Sequence, residues 1–138
     1  MASFNKYQKG VEALVEGVNA GSDAWYVALT NRTPVVATDA DILDAVELVP
    51  GNGYTTGGNA ATTVSSSQTG GTYKLVLNSP ATWTATGGSI GPFQYAVLYD
   101  WTTGALMGYW DYGSPVTLSV GESFSVVLDG TSGVFTVA

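Results

Sequence analysis

From residue 60 onward, turn-forming residues interrupt the chain at short and fairly regular intervals. The dividers are Gly70-Gly71, Ser79-Pro80, Gly87-Gly88, Thr103-Gly104, Gly113-Ser114, Gly121 and Ser132-Gly133. Each offers the positive φ or the fixed φ that a tight turn demands. The segments between them read as strands near 60–66, 72–78, 81–86, 92–100, 105–112, 115–120, 122–128 and 133–137. Phe93, Tyr95, Val97 and Tyr99 make one alternating face, and Phe124, Val126 and Leu128 make another. Short strands at this spacing predict an all-β sandwich or barrel. No internal repeat or linker divides the chain, so its 138 residues read as a single domain.

The N-terminal part follows other periods. Phe4, Tyr7, Val11, Leu14, Val15 and Val18 recur at spacings of three and four, which predicts a helix over about 4–18. Ser3 is placed to cap it, and Gly21 lies beyond its end. Gly10 and Gly17 each weaken such a helix by about 1 kcal/mol relative to Ala, so it needs docking. A period of two in Trp25, Val27 and Leu29 predicts a strand over about 24–30. Thr38 followed by Asp41 resembles a capping box for a short helix over about 39–48, lined by Ile42, Leu43 and Val46. Residues 50–59, PGNGYTTGGN, hold four glycines and read as a loop.

Composition narrows the function classes. The chain has no histidine and no cysteine, yet four Trp, eight Tyr and four Phe. It therefore lacks the commonest acid–base group and the most nucleophilic side chain, while keeping large flat surfaces for a core or an interface. Charged residues make up 11%, against roughly 25% in an average domain. Such a surface is easily desolvated against a neighbour. The net charge of −7 opposes contact with nucleic acid and with anionic membranes. No stretch reaches the length of a membrane span, and the spaced apolar residues near the start, broken by Glu12 and Glu16, do not read as a signal peptide. Without an export signal, the sequon Asn31-Arg32-Thr33 reads as chance.

Several constellations have a chemical and a structural reading. Asp39, Asp41, Asp44 and Glu47 could suggest calcium, but Ile42 and Leu43 stand where a calcium loop would turn, and the spacing fits a helix start. No metal or cofactor is expected. Asp100 and Asp111 flank an aromatic hairpin and could form a glycosidase pair; two acids at strand ends are the simpler reading, and no catalytic residue is expected. Trp25, Trp83 and Trp110 read mostly as core. Trp101, at a hairpin tip, is the Trp expected at the surface, as an interface anchor or a sugar platform. The glycine-rich loop has no Lys and is no phosphate-binding loop; its length and Tyr54 suit either an arm that orders on a partner or an ordinary long loop, and Asn52 and Tyr54 are candidate contacts in it. Lys6 and Lys9 on the first helix could meet an acidic partner, although a solvated helix face is the simpler reading; Arg32, the third basic residue in the first 32 positions, is a further candidate contact.

The segments SFNKYQKGVEALVEGVNAGSDAWYVALTN, PGNGYTTGGN, GGTYKLVL, GPFQYAVLYD and GYWDYGSPVTLSVGESFSV, in this order, resemble the capsid cement or decoration proteins of short-tailed bacteriophages, such as those infecting Bordetella. The resemblance spans nearly the whole chain. It implies a jelly-roll-like antiparallel β-sandwich on the outer capsid surface of the virion. It also implies homodimers that clamp neighbouring major capsid protein subunits, with no catalytic residues. The competing readings are a carbohydrate-binding β-sandwich of a virion and, behind it, a small glycosidase.

Overall fold

The computed structural model describes residues 2–138, and they form antiparallel sheets with two short helices. The elements in chain order are β1 (Phe4–Lys6), α1 (Gln8–Glu16), β2 (Trp25–Thr30), α2 (Ile42–Ala45), β3 (Asn59–Ala60), β4 (Thr63–Thr69), β5 (Thr72–Leu77), β6 (Trp83–Thr84), β7 (Ile90–Asp100), β8 (Leu106–Leu118), β9 (Ser123–Phe124) and β10 (Phe135–Val137). One sheet has the order β1-β8-β7-β2-β3, a second β10-β5-β4, and β6 pairs with β9. The all-β class expected from the turn spacing is the one observed.

The larger core lies between the five-stranded sheet and the two smaller ones. Trp25, Val27, Leu29, Leu75, Leu77, Trp83, Phe93, Leu98, Trp110 and Val126 all meet there. The opposite face of the five-stranded sheet is also covered, by a smaller cluster of Tyr7, Ala28, Ala45, Val97, Tyr99 and Leu106. Strands β2 and β7 are therefore buried on both sides. This explains why WYVALT reads as a nearly unbroken apolar run rather than a strict alternation.

The N-terminal stripe divides differently from the predicted helix over 4–18. Phe4–Lys6 is a strand, with Phe4 opposite Trp110 and Lys6 opposite Gly108. The Phe4 and Trp110 rings meet at 5.1 Å, a contact that a helix starting at Phe4 would forgo. Helix α1 then begins after Tyr7, without a cap from Ser3. Instead, the Gln8 N–H donates to the Val36 carbonyl at 2.9 Å. Gly10, which looked only like a weakness, is a contact point. A Cβ there would lie 2.6 Å from the Leu106 carbonyl oxygen, so only glycine lets α1 lie directly on β8. Val11 and Val15 point outward, 50% and 84% exposed, while Leu14 and Val18 pack against the larger core.

The short helix is shorter than the expected 39–48 and capped three residues later. Asp41, not Thr38, accepts from the Leu43 N–H, and the Asp44 carboxylate accepts from the Asp41 N–H. Asp39 is committed elsewhere, to Arg32. The helix stops after one turn because Val46 adopts φ 52°, ψ 73°. That conformation is strained for a β-branched residue. It is held by the buried Thr30 hydroxyl, which lies 2.7 Å from the Ala45 carbonyl oxygen and 2.8 Å from that of Val46.

Three further expectations change in the second half. The strands expected at 105–112 and 115–120 are one strand, β8, because Gly113 bends it without ending its pairing. Gly113 sits at φ 86° with its N–H bonded to Asp111 Oδ1 at 2.8 Å. The pairing of β7 with β8 shifts register between Phe93 and Tyr95. Phe93 consequently faces the larger core while Val97 and Tyr99 face the smaller one, so the four do not share a face. The strands expected at 81–86 and 122–128 shrink to the two-residue pair β6 and β9. Val126 and Leu128 are buried as their alternation suggested, but the Leu128 N–H bonds to the Ser79 hydroxyl rather than to a neighbouring strand.

The loop over 50–59 is not a free arm. Tyr54 is 3% exposed; its hydroxyl donates to Glu47 Oε2 at 2.6 Å and accepts from the Leu29 N–H at 3.1 Å. Gly58 holds φ 80° against the backbone of Val27 and Ala28, where a Cβ would overlap the Val27 carbonyl oxygen. Gly58→Ala is expected to cost at least about 2 kcal/mol, from the left-handed backbone and the lost close approach together. Urea unfolding of the variant beside the parent measures this.

Candidate interaction surfaces

The six residues singled out by sequence fall into three situations. Lys6 and Lys9 are exposed around the β1–α1 junction, Lys9 lying 3.8 Å from Glu12. Such an exposed pair contributes little and leaves the ammonium free to move to a partner. Arg32 is not free. Its guanidinium grips Asp39 with two bonds of 2.6 and 3.1 Å, and Asp39 also accepts from the Val35 N–H at 2.8 Å. This bond to Asp39 holds the guanidinium above its usual pKa. Arg32 thus pins the loop after β2, as a fork-shaped cation on a nearly buried carboxylate does.

Asn52 and Tyr54 are structural as well. Asn52 donates from Nδ2 to the Ser89 carbonyl at 3.0 Å and itself turns at φ 58°. Burial and the Glu47 carboxylate push the Tyr54 hydroxyl far above its ordinary pKa. Tyr54 belongs to the core, which removes it as a partner-contacting side chain in this conformation.

Trp101 is where the sequence placed it, at the tip of the β7–β8 hairpin and 57% exposed. Its indole stacks on Tyr26 at 5.6 Å with an interplanar angle of 28°. Gly57 lies beneath, close enough that a Cβ would contact both the Tyr99 hydroxyl and the Trp101 indole nitrogen. The Gly57 N–H bonds to Glu47, and its carbonyl accepts from the Tyr99 hydroxyl at 2.7 Å. Loop 50–59 and the hairpin tip, read from sequence as separate regions, are therefore one unit. What joins them is the Tyr99 hydroxyl on the Gly57 carbonyl; Glu47 holds the loop in place from within, a role its spacing in an acidic cluster did not suggest.

The acids also resolve separately. Asp39 binds Arg32, Asp41 and Asp44 cap α2, and Glu47 holds Tyr54 and Gly57. Asp100 and Asp111 do not form a pair. Asp111 is opposite Tyr95 in the β7–β8 ladder, and Asp100 lies five residues further along β7. At about 3.3 Å per residue the two are roughly 16 Å apart along the strand, beyond the about 10 Å limit of a glycosidase pair. Asp111 is exposed, with Gln94 and the Gly113 N–H holding its pKa down.

Asp100 instead has a different neighbour. It is fully buried, and its Oδ1 accepts from the N–H groups of Thr102 at 2.8 Å and Thr103 at 3.2 Å. Its Oδ2 has no donor while both it and Asp23 are ionised. Burial, and then the hydrogen bond with Asp23, raise the Asp100 carboxyl to about 6, and the same bond holds Asp23 low. Of the two carboxyls, Asp100 is the one favoured to hold a proton as pH falls below about 6. The neighbouring backbone closes the hairpin base, with the Trp101 N–H on the Ala24 carbonyl at 2.8 Å and the Ala24 N–H on the Thr102 hydroxyl at 3.0 Å.

Because the folded pKa of Asp100 lies above its unfolded value, its favourable contribution is full below the unfolded pKa. It is lost as pH rises through about 6. Asp100→Asn keeps the acceptor for Thr102 and Thr103 and supplies a permanent donor to Asp23. The variant is expected to be more stable than the parent near pH 7.5, by up to about 3 kcal/mol, and nearly equal to it near pH 4. Denaturant unfolding at both pH values measures the difference.

The sequence missed a set of exposed apolar side chains. Val15, Leu43 and Val49 are each at least 84% exposed, and Val46, Val120 and Val127 more than half. Leu43 and Val46 looked like the buried stripe of a helix, but α2 has only one turn and turns them outward. Among the described residues, no helix is long and apolar enough to cross a membrane. This chain matches no protein-family profile, no curated protein and no solved structure.

Proposed function

We propose that this chain is a capsid cement, or decoration, protein of a bacteriophage. It is a non-enzymatic structural protein of the virion that binds the outer surface of the head as a homodimer and clamps neighbouring major capsid protein subunits. The resemblance of its ordered segments to that group supports the reading, and the jelly-roll-like character of the sandwich is part of it. The observation that carries it is the surface. Large apolar side chains, Val15, Leu43 and Val49 among them, stand almost fully exposed on a chain with only 11% charged residues. A charge-poor apolar surface is cheaply desolvated against an extended partner, and repetition over a lattice multiplies weak contacts. A two-fold dimer presents one binding patch twice, as a boundary between equivalent subunits requires.

Purified chain mixed with capsids that lack it is expected to give ordered density at repeated positions on the outside of the shell when imaged. A bare shell overturns the proposal. Lys6→Glu with Lys9→Glu is expected to lower occupancy, since both ammonium groups are exposed and available.

One observation favours a second reading, a carbohydrate-binding module of a virion. Trp101 offers an exposed indole already braced on Tyr26, as sugar faces require. That reading expects glycan binding that disappears in Trp101→Ala while shell occupancy is unchanged. A glycan array probed with both proteins decides it.

A further inference from the structure

Two sheets end in the same place. β1 is the outermost strand of the five-stranded sheet and β10 the outermost of the three-stranded sheet, so each has one side without a strand neighbour. Both line a groove of about 350 Å³ whose wall is α1. The lining is apolar, with Phe4, Val11, Leu14, Val15, Phe135 and Val137 contributing. Val11, Val15 and Val137 are 50%, 84% and 44% exposed there. The groove exists because Gly10 seats α1 directly on the backbone of β8, which fixes how far the helix stands from the strand ends.

Among the described residues that line this groove, Lys6 is the charged side chain and no Asp or Glu joins it; Ala138, the last residue of the sequence, lines it too. The other basic residues are engaged or outside it: Arg32 with Asp39, Lys74 with the Thr131 carbonyl at 2.9 Å, and Lys9 near Glu12 on α1. Its size also restricts the occupant. A volume at the lower end of ligand-site sizes takes a few side chains rather than a folded surface. A second copy of this chain would have to cover about 800 Å² on each partner, so its contact would extend well beyond the groove.

We propose that this groove binds an extended segment of another protein, which adds a short strand at the open edge of β10, places alternate apolar side chains against α1, and sets a carboxylate on Lys6. Main-chain bonds to a free strand edge give such a complex its affinity, and the groove and Lys6 give it selectivity. The inference goes beyond the capsid reading and does not depend on it, since it concerns only the chemistry of the bound segment.

Selection from a random peptide library displayed on phage, with the full chain as target, tests it. Enriched sequences are expected to alternate apolar residues and to carry at least one Asp or Glu. Their synthetic peptides are expected to bind at least about tenfold more weakly to Val15→Asp and to Lys6→Glu, both exposed substitutions whose thermal unfolding should match the parent. Amide signals of Phe135–Val137 in nuclear magnetic resonance spectra should shift on binding. The proposal is overturned if nothing is enriched, if the enriched peptides are basic, or if both variants bind them unchanged. It is equally overturned if the free chain sediments as a dimer that Val15→Asp dissociates, because a second copy then covers the groove. None of these outcomes involves capsids, so failure here is separable from failure of the cement reading.

Discussion

The long pairing of β7 with β8 is what the remaining elements build on. β7 is buried on both faces over most of its length, which shields its hydrogen bonds from water. β2 adds along one side of β7, while β1 and α1 dock on β8. Both cores depend on side chains from this pair, Phe93, Leu98 and Trp110 in one and Val97, Tyr99 and Leu106 in the other. The shift in register between Phe93 and Tyr95 is therefore consequential. It turns Phe93 to the larger core, while plain alternation beyond it sends Ala96 and Leu98 to that core and Val97 and Tyr99 to the smaller one.

Polar groups secure what the cores leave uncovered. Glu47 is the centre of the largest such arrangement, holding Tyr54 and Gly57, while Gly57 in turn receives Tyr99. The result is a glycine-rich loop that is fixed rather than mobile, and a Trp101 that stands on a prepared base. A contact made through a side chain already held in place loses less conformational entropy than one made through a free arm. The same economy applies at the groove beside α1, where both strand edges and the helix wall are in position before any partner arrives.

The distribution of charge follows from this framework. Most acids around α2 are committed to backbone donors or to Arg32, so their carboxylates are held in place by the fold. Lys6 remains outside these networks, beside an apolar groove. Exposed valines on a charge-poor surface and an exposed ammonium beside a sheet edge are the features on which the proposed contacts with other chains rest.

Some of this was legible in the residues themselves. Turn residues fix local φ, so the dividers after residue 60 located most strands, and the period of two placed Trp25, Val27 and Leu29 on one face. The Trp101 tip, the buried Trp25, Trp83 and Trp110, and the helix-start role of Asp41 and Asp44 were readable for the same local reasons. What local pattern could not decide was pairing. Phe4–Lys6 carries a helical stripe but meets Trp110 from the other end of the chain, and that contact makes it a strand. Tyr54 looks like a loop residue until the Leu29 N–H and Glu47 surround it. The groove between β1, α1 and β10 joins the two ends of the sequence. Sequence determined backbone preference and alternation, because these depend on neighbours a few residues away. Tertiary structure alone decided partners, register and open edges, because those depend on which distant segments share a core.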